Sequence, residues 1–211
     1  MIGIIDYEMG NLFSVSKALE RLNVPYFISD QKDDLMKADA LILPGVGAFP
    51  DAMALLNESG ISAMIHDYVN SGKPLLGICL GMQLLFDESE ENGLNKGLGI
   101  LPGSVVRFSG KSQTSESYKV PHMGWNKLNF LHSSPILKNI EEDFVYFVHS
   151  YYVKTDDSEV VIADCEYDVR VPAVVGRGNV YGMQFHPEKS SALGMELLRN
   201  FTQLVEERES V

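Results

Sequence analysis

Pro74-Leu75-Leu76-Gly77-Ile78-Cys79-Leu80-Gly81-Met82-Gln83-Leu84-Leu85-Phe86 is an apolar run, a turn and a second apolar run. Residues 74–78 carry no polar side chain, which reads as a strand buried on both faces. Residues 82–86 read as the start of a helix. Between them, Cys79 has a glycine two positions away on either side. A residue at a sharp strand-to-helix turn takes strained backbone angles, and nearby glycines keep its neighbours from clashing. Such a turn lifts the sulfur clear of the sheet edge. It also sets the thiol at a helix N-terminus, whose partial positive charge favours thiolate, and aims turn N–H groups at a developing oxyanion. An isolated cysteine is most often a small buried hydrophobe, but a core position does not require glycine on both sides. Cys165, in Ala163-Asp164-Cys165-Glu166, lacks that setting and reads as structural.

The same alternation extends upstream. Residues 2–5 form an apolar run closed by Asp6, and after Gly10-Asn11 the residues Leu12, Val15, Leu19 and Leu22 recur at helical spacing. Strands are expected at 25–28 and at 40–43, the latter ended by Pro44-Gly45. Helices are expected at 51–56 and 61–69, with Ser71-Gly72 as a stop. Strands apolar on both faces and separated by helices predict an α/β fold, a mostly parallel central sheet flanked by helices. The second half is different. Strand candidates crowd together at 105–108, 119–120, 126–129, 144–148, 160–163, 173–175 and 180–185, predicting a smaller antiparallel β portion. Gly176-Arg177-Gly178-Asn179 reads as a tight hairpin connection. Leu193, Leu197, Leu198, Phe201, Leu204 and Val205 predict a closing helix packed on the sheet. Residues 111–117, rich in Ser, Thr and Gln, read as a flexible surface loop. No repeat or composition shift marks a boundary, so residues 1–211 are expected to form a single domain.

Composition sets outer limits. Apolar residues make up 45% of the 211-residue chain and charged residues 22%, a globular profile. A net charge of −12 argues against nucleic acid, and an acidic surface suits a basic partner protein. No apolar run approaches the roughly 20 residues of a membrane span. Met1-Ile2-Gly3-Ile4-Ile5-Asp6 lacks the basic region of a signal peptide. The two cysteines form no C-x-x-C, and no His or Cys pair has zinc-finger spacing. A reduced, cytoplasmic protein without a metal is the expectation.

A nucleophilic thiol needs a base that can later protonate a leaving amine, and histidine suits that near neutral pH. Of five histidines, His66 lies on an expected surface helix and His132 in a Ser-Pro-containing loop, both solvated. His149 ends an apolar strand beside Ser150-Tyr151, and His122 falls in Pro121-His122-Met123-Gly124-Trp125. His186 is set apart by Gln184-Phe185-His186-Pro187-Glu188, directly after the last expected strand. Pro187 fixes the backbone there, and Glu188 can reach the far imidazole nitrogen and hold its tautomer. Cys79, His186 and Glu188 are therefore the candidate triad.

At these two motifs the sequence resembles the class I (triad-type) glutamine amidotransferases. The resemblance narrows through Asp6-Tyr7-Glu8-Met9-Gly10-Asn11-Leu12-Phe13-Ser14-Val15, Pro44-Gly45-Val46-Gly47-Ala48-Phe49, Gly97-Leu98-Gly99-Ile100-Leu101-Pro102-Gly103 and Lys119-Val120-Pro121-His122-Met123-Gly124-Trp125-Asn126. These are similar to the branch whose glutaminases dock on a (β/α)8-barrel cyclase subunit in histidine biosynthesis. That cyclase makes imidazole glycerol phosphate and an aminoimidazole carboxamide ribotide. The resemblance implies a flavodoxin-like sheet, no cofactor, and attack by Cys79 on the glutamine side-chain amide through a γ-glutamyl thioester. It implies His186 as acid and base, Glu188 as its orienting partner, and Leu80 and Val46 as oxyanion donors, Val46 after a peptide reorientation. Gly47, Gln83, Ser150 and Tyr151 match positions that hold the ends of glutamine. Pro121, His122, Met123, Trp125 and Asn126 fall in the region expected at the partner interface, through which ammonia passes without meeting solvent. Trp is a frequent interface anchor, although on burial alone a lone Trp is more often core. Two departures are Glu8 and Pro50, where the family has glycine.

Other readings share the triad. They are a class I component serving anthranilate, aminodeoxychorismate or pyridoxal phosphate synthesis, and a paralogue feeding ammonia to a surface-sugar pathway. A thiol hydrolase or protease on a similar fold and a non-enzymatic interaction module belong to different classes. The 6–15 and 120–126 segments favour the histidine pathway.

Overall fold

The computed structural model describes the backbone of residues 1–112 and 116–209, with side chains as far as residue 205. In chain order the first half runs β1 (Ile2–Ile5), α1 (Leu12–Arg21), β2 (Tyr26–Ser29), α2 (Lys32–Leu35), β3 (Ala40–Gly45), α3 (Phe49–Glu58), α4 (Ile61–Asn70), β4 (Leu75–Cys79) and α5 (Leu80–Leu84). The strands β5 (Phe86–Ser89), β6 (Asn95–Lys96), β7 (Leu101–Arg107), β8 (His122–Lys127) and β9 (Asn129–Phe130) follow. The chain continues with β10 (Phe144–His149), β11 (Tyr151–Lys154), β12 (Val161–Tyr167), β13 (Val169–Arg177), β14 (Val180–Met183) and α6 (Ser191–Glu209).

Eight strands form the main sheet in the order β2-β1-β3-β4-β14-β13-β12-β9. The β2 to β14 part is parallel, and β13, β12 and β9 extend it antiparallel. Alternation along the strands explains why their sequences are apolar throughout. Ile2, Ile4, Ala40, Ile42, Leu76 and Ile78 face a cluster with Val15 and Leu19 of α1 and Leu197, Leu198 and Phe201 of α6. Ile5, Leu41, Leu43 and Leu75 face the other cluster, with Phe49, Leu56, Ile65 and Tyr68 of α3 and α4. The α/β expectation is met, and so is the smaller antiparallel portion, as the β10-β8 pair; a further sheet, β11-β7-β5-β6, joins strands from the middle of the chain.

Local chemistry accounts for several boundaries. Asn11 caps α1, its side-chain oxygen accepting from the Ser14 N–H at 3.2 Å. Pro50 stands at the start of α3, where its missing N–H costs no intrahelical bond. The helix after Cys79 stops at Leu84 instead of reaching Phe86, because its end is captured by the 97–101 segment. Leu98 N donates to Leu84 O at 2.8 Å, and Ile100 N and Leu101 N to Leu85 O at 2.8 and 2.9 Å. Residues 119–120 form no strand; Pro121 has no N–H to give a ladder, and β8 begins at His122. Of the 111–117 loop, Lys111 and Ser117 pair in an isolated bridge, and residues 113–115 lie outside the described residues. No helix among the described residues is long and apolar enough to cross a membrane.

Of the glycines, Gly81 has the least room for a side chain, where the α5 turn passes β3. A methyl group on Gly81 would stand 1.9 Å from the Leu43 carbonyl oxygen, and one on Gly77 2.5 Å from the Gly81 oxygen. Gly81→Ala is therefore expected to lose about 3 kcal/mol or more. Gly178→Ala, with φ +59° and no heavy atom within 4 Å, should lose only about 1 kcal/mol. Urea unfolding of the two variants checks the order, and a Gly178→Ala loss as large as that of Gly81→Ala would contradict it.

Candidate active site

Cys79 is the last residue of β4, with φ 56° and ψ −113°, a backbone conformation a side chain rarely adopts. Its register partner on β3 is Gly45. The thiol therefore sits beside the 44–47 segment at the carboxyl end of the sheet, near the point where strand order reverses between β1 and β3. The helix it caps is only five residues long, so the field there comes from first-turn N–H groups rather than from a long helix. The larger of two relevant hollows, a groove of about 1410 Å³ along β7 and β11, holds no cysteine. The sulfur lines a smaller cleft of about 390 Å³ together with Val46, Gly47, Leu80, Gln83, Ser150, Tyr151 and His186.

His186 follows β14, and its backbone is anchored to β10. Its N–H donates to the Tyr146 oxygen at 3.2 Å, while Ser190 Oγ donates to the His186 oxygen at 2.6 Å. Ser190 Oγ also accepts from the Tyr146 N–H at 2.9 Å, closing the anchor. The imidazole Nδ1 lies 2.9 Å from Glu188 Oε1, both side chains being buried. A carboxylate oxygen accepts, so Nδ1 donates to Glu188 and Nε2 is left for the cleft that Cys79 also lines. The second Glu188 oxygen is buried with no donor among the described residues, leaving His186 to compensate the charge. Burial works against the imidazolium, but the hydrogen bonds and charges of Cys79 and Glu188 outweigh it and raise His186 to about 10. Such an arrangement can move a proton between a sulfur and a leaving amine.

The 44–47 segment is held from both sides. Tyr7, on the loop after β1, donates its hydroxyl to the Pro44 oxygen at 2.8 Å, and burial pushes that phenol up. A methyl at Gly10 would meet Pro44 at 3.0 Å, and one at Gly47 would meet Met9 at 2.7 Å. At the far end, Glu91 Oε2 accepts from the Phe49 N–H at 2.9 Å. Between these anchors Val46 is 42% exposed and Gly47 has φ +98°. The packing gives the 6–11 loop its task, and Glu8, at φ 73°, occupies a left-handed position that favours glycine.

Gln83 lines the cleft, but its amide is already committed, Nε2 donating to the Tyr151 oxygen at 3.0 Å and to Gln184 Oε1 at 3.1 Å. Of the expected interface residues, Met123 and Trp125 are 62% and 53% exposed, and Pro121 lines the cleft. Trp125 is thus not core; its ring stands edge-on to Tyr146 at 6.0 Å. Asn126 donates to the Glu166 oxygen at 2.8 Å. His122 offers no surface for docking: it is 2% exposed and turned inward against Tyr167 and Phe147. Glu91, on the turn after β5, was not singled out from the sequence; it sits in a run of acidic residues with no motif to mark it. Cys79 and Cys165 are both free, and burial raises the Cys165 thiol to about 12. No group of three or more His, Cys, Asp or Glu among the described residues forms a metal cluster.

His186 titrates in the folded chain above the ordinary 6.5, so its stabilisation is complete below pH 6.5 and is lost as pH rises towards 10. An imidazole NMR titration should find His186 protonated well past neutrality, with Glu188→Gln lowering the midpoint and removing stability mostly below it. A wild-type midpoint near 6.5 would contradict this account.

A family model described as glutamine amidotransferase class-I matches residues 4–204. The chain is 63% identical over 211 residues, the full length of both chains, to imidazole glycerol phosphate synthase subunit HisH of Geobacillus sp. strain WCH70. It is 56% identical over 208 residues to the protein of the same name from Bacillus subtilis strain 168, covering 99% of this chain and 98% of the other. Among solved structures, one described as a glutamine amidotransferase superposes with a TM-score of 0.75 at 24% identity, covering 97% of this chain and 98% of that one. A chain of PurLQS from Thermotoga maritima superposes with a TM-score of 0.73 at 22% identity, covering 97% and 98%. These two likenesses establish the shared fold, and the sequence matches establish descent: the chain belongs to the class I glutamine amidotransferase family.

Proposed function

We propose that this chain is the glutaminase subunit of an imidazole glycerol phosphate synthase, converting glutamine and water to glutamate and ammonia. The observation that carries the reading is the convergence of Cys79, His186 and Glu188 at the carboxyl end of the sheet, in a chain alike over its full length to proteins of that name.

In this reading the Cys79 thiol passes its proton to His186 Nε2 as the sulfur attacks the side-chain amide carbon, and the carbonyl electrons move onto oxygen. The oxyanion takes a hydrogen bond from the Leu80 N–H and a second from the Val46 N–H once that peptide has turned. His186 gives its proton to the departing nitrogen, so ammonia leaves and a γ-glutamyl thioester remains. His186 then takes a proton from water, which attacks the thioester carbon, and passes it to the departing sulfur, so that glutamate and the thiol are released. Glu188 holds the imidazole in the one tautomer that serves both steps. Gly47, Gln83, Ser150 and Tyr151 border the ends of the substrate. Glu91, a carboxylate on the cleft wall, suits its α-ammonium group.

Ammonia is protonated and lost in water, so a partner that consumes it must seal the cleft. The partner we propose is a (β/α)8-barrel cyclase, which uses the ammonia to form imidazole glycerol phosphate and an aminoimidazole carboxamide ribotide in the cytoplasm. Exposed Met123 and Trp125, close to the Pro121 rim of the cleft, offer it an apolar seat.

Measuring ammonia release by the purified chain, alone and with the cyclase and its ligand, tests the proposal. Release should be low for the chain alone and rise at least about tenfold in the complex, because in this reading the partner is what turns the Val46 peptide. Cys79→Ser should lower turnover of the complex by about 10³-fold or more. Background release from glutamine alongside cleavage of peptides or esters would overturn the assignment, and equal release with and without the partner would refute the peptide turn.

A further inference from the structure

Two buried histidines beside the cleft have no part in the chemistry above. His122 and His149 are cross-strand partners on β8 and β10, 2% and 7% exposed. His122 is stacked between Tyr167, at 4.0 Å between centroids, and Phe147, at 4.6 Å. Phe108 packs against His149 at 5.3 Å.

Their hydrogen bonds admit one proton arrangement. His149 Nδ1 lies 2.7 Å from the Tyr151 carbonyl oxygen, which can only accept, so Nδ1 carries a proton. Burial pushes His149 down to about 3 and His122 down to about 4, so each ring is neutral near pH 7 and holds one proton. The His149 Nε2 is then a bare acceptor, and His122 Nδ1, 3.0 Å away, must donate to it. That leaves the His122 Nε2 bare, facing the Asn126 Nδ2 donor at 3.4 Å. Reversing either ring would set N–H against N–H, or a lone pair against the carbonyl. The donors all point one way, from Asn126 through both rings to Tyr151. The Tyr151 oxygen also takes the Gln83 Nε2 proton at 3.0 Å. Four of the residues joined or spanned by this chain, Gln83, His149, Ser150 and Tyr151, line the cleft.

We propose that His122 and His149 are positioning residues for glutamine binding, a tautomer-locked pair that fixes the Ser150–Tyr151 wall of the cleft. The proposal rests on the glutaminase reading. Neither ring touches the reacting atoms through this pair; they act by holding the Tyr151 carbonyl, and with it the backbone that turns between β10 and β11. A loosened wall weakens ground-state binding of glutamine and leaves the sulfur and its base in place.

The test is steady-state glutamine hydrolysis in the complex with the cyclase, for the unsubstituted chain, His122→Phe and His122→Asn. Phenylalanine keeps the stacked ring and loses both nitrogens, whereas the asparagine amide can still donate from near the Nδ1 position. We expect His122→Phe to raise KM for glutamine about tenfold, the scale of one lost buried hydrogen bond. Its kcat should stay within about twofold, and the rate of Cys79 alkylation by iodoacetamide should be unchanged. His122→Asn should recover most of the KM. An unchanged KM in His122→Phe, or a fall in kcat and alkylation instead, would overturn the positioning role. Should His122→Phe fail to fold, long-range proton–nitrogen spectra of the unsubstituted protein at pH 7 decide the lock. They should show both rings protonated at Nδ1 and bare at Nε2, and the opposite tautomer on either ring would overturn it. Absence of glutamine turnover by the unsubstituted complex would sink the glutaminase reading instead, with the spectra still deciding the lock.

Discussion

The fold depends on how closely the chain after Cys79 passes β3. The turn brings Gly81 so near the Leu43 carbonyl that no side chain fits between them, and Gly77 clears the Gly81 backbone only because it too lacks a Cβ. Cys79, between these two glycines, takes φ 56°. The turn also sets the thiol level with Gly45, beside Val46 and Gly47 on the wall of the same cleft. Strain at the sulfur and access to an oxyanion site are thus two results of a single approach of backbone to backbone. The cost, of order 1–3 kcal/mol for such a conformation, is offset by a sheet buried on both faces.

Around that turn the side chains divide into those that hold backbone and those that hold protons. Tyr7 and Glu91 pin the two ends of the 44–49 stretch, and Ser190 ties the His186 backbone to β10. Glu188 sets the proton on His186, and the Tyr151 carbonyl sets those on His149 and His122. The two systems have opposite electrostatics. His186 is drawn to the charged form by its partners, while His122 and His149 are held neutral by burial.

Much of this was legible in the sequence, for identifiable reasons. The parallel half could be read because strands buried on both faces carry unbroken apolar runs, and Cys79 because its glycines have no other task. His186 and Glu188 could be read because a proline fixes their spacing. The small strands β5, β6 and β11 were missed, since two to four residues with mixed polarity carry no period. The end of α5 was missed because its limit is set from outside, by N–H groups of residues 98–101. The exposure of Trp125 and the burial of His122 follow from which face of β8 turns inward, and that depends on pairing with β10, which no local pattern encodes. Glu91 comes to the cleft through a fold-level contact with Phe49, 42 positions away.

The central claim is that the turn presents Cys79, and not Cys165, to a glutamine held in the cleft. Incubation with a chloroketone analogue of glutamine, followed by intact mass and peptide mapping, tests it most directly. One equivalent should add, on Cys79 alone, and excess glutamine should slow the addition. Labelling of Cys165, or labelling of Cys79 that glutamine does not slow, would contradict the account.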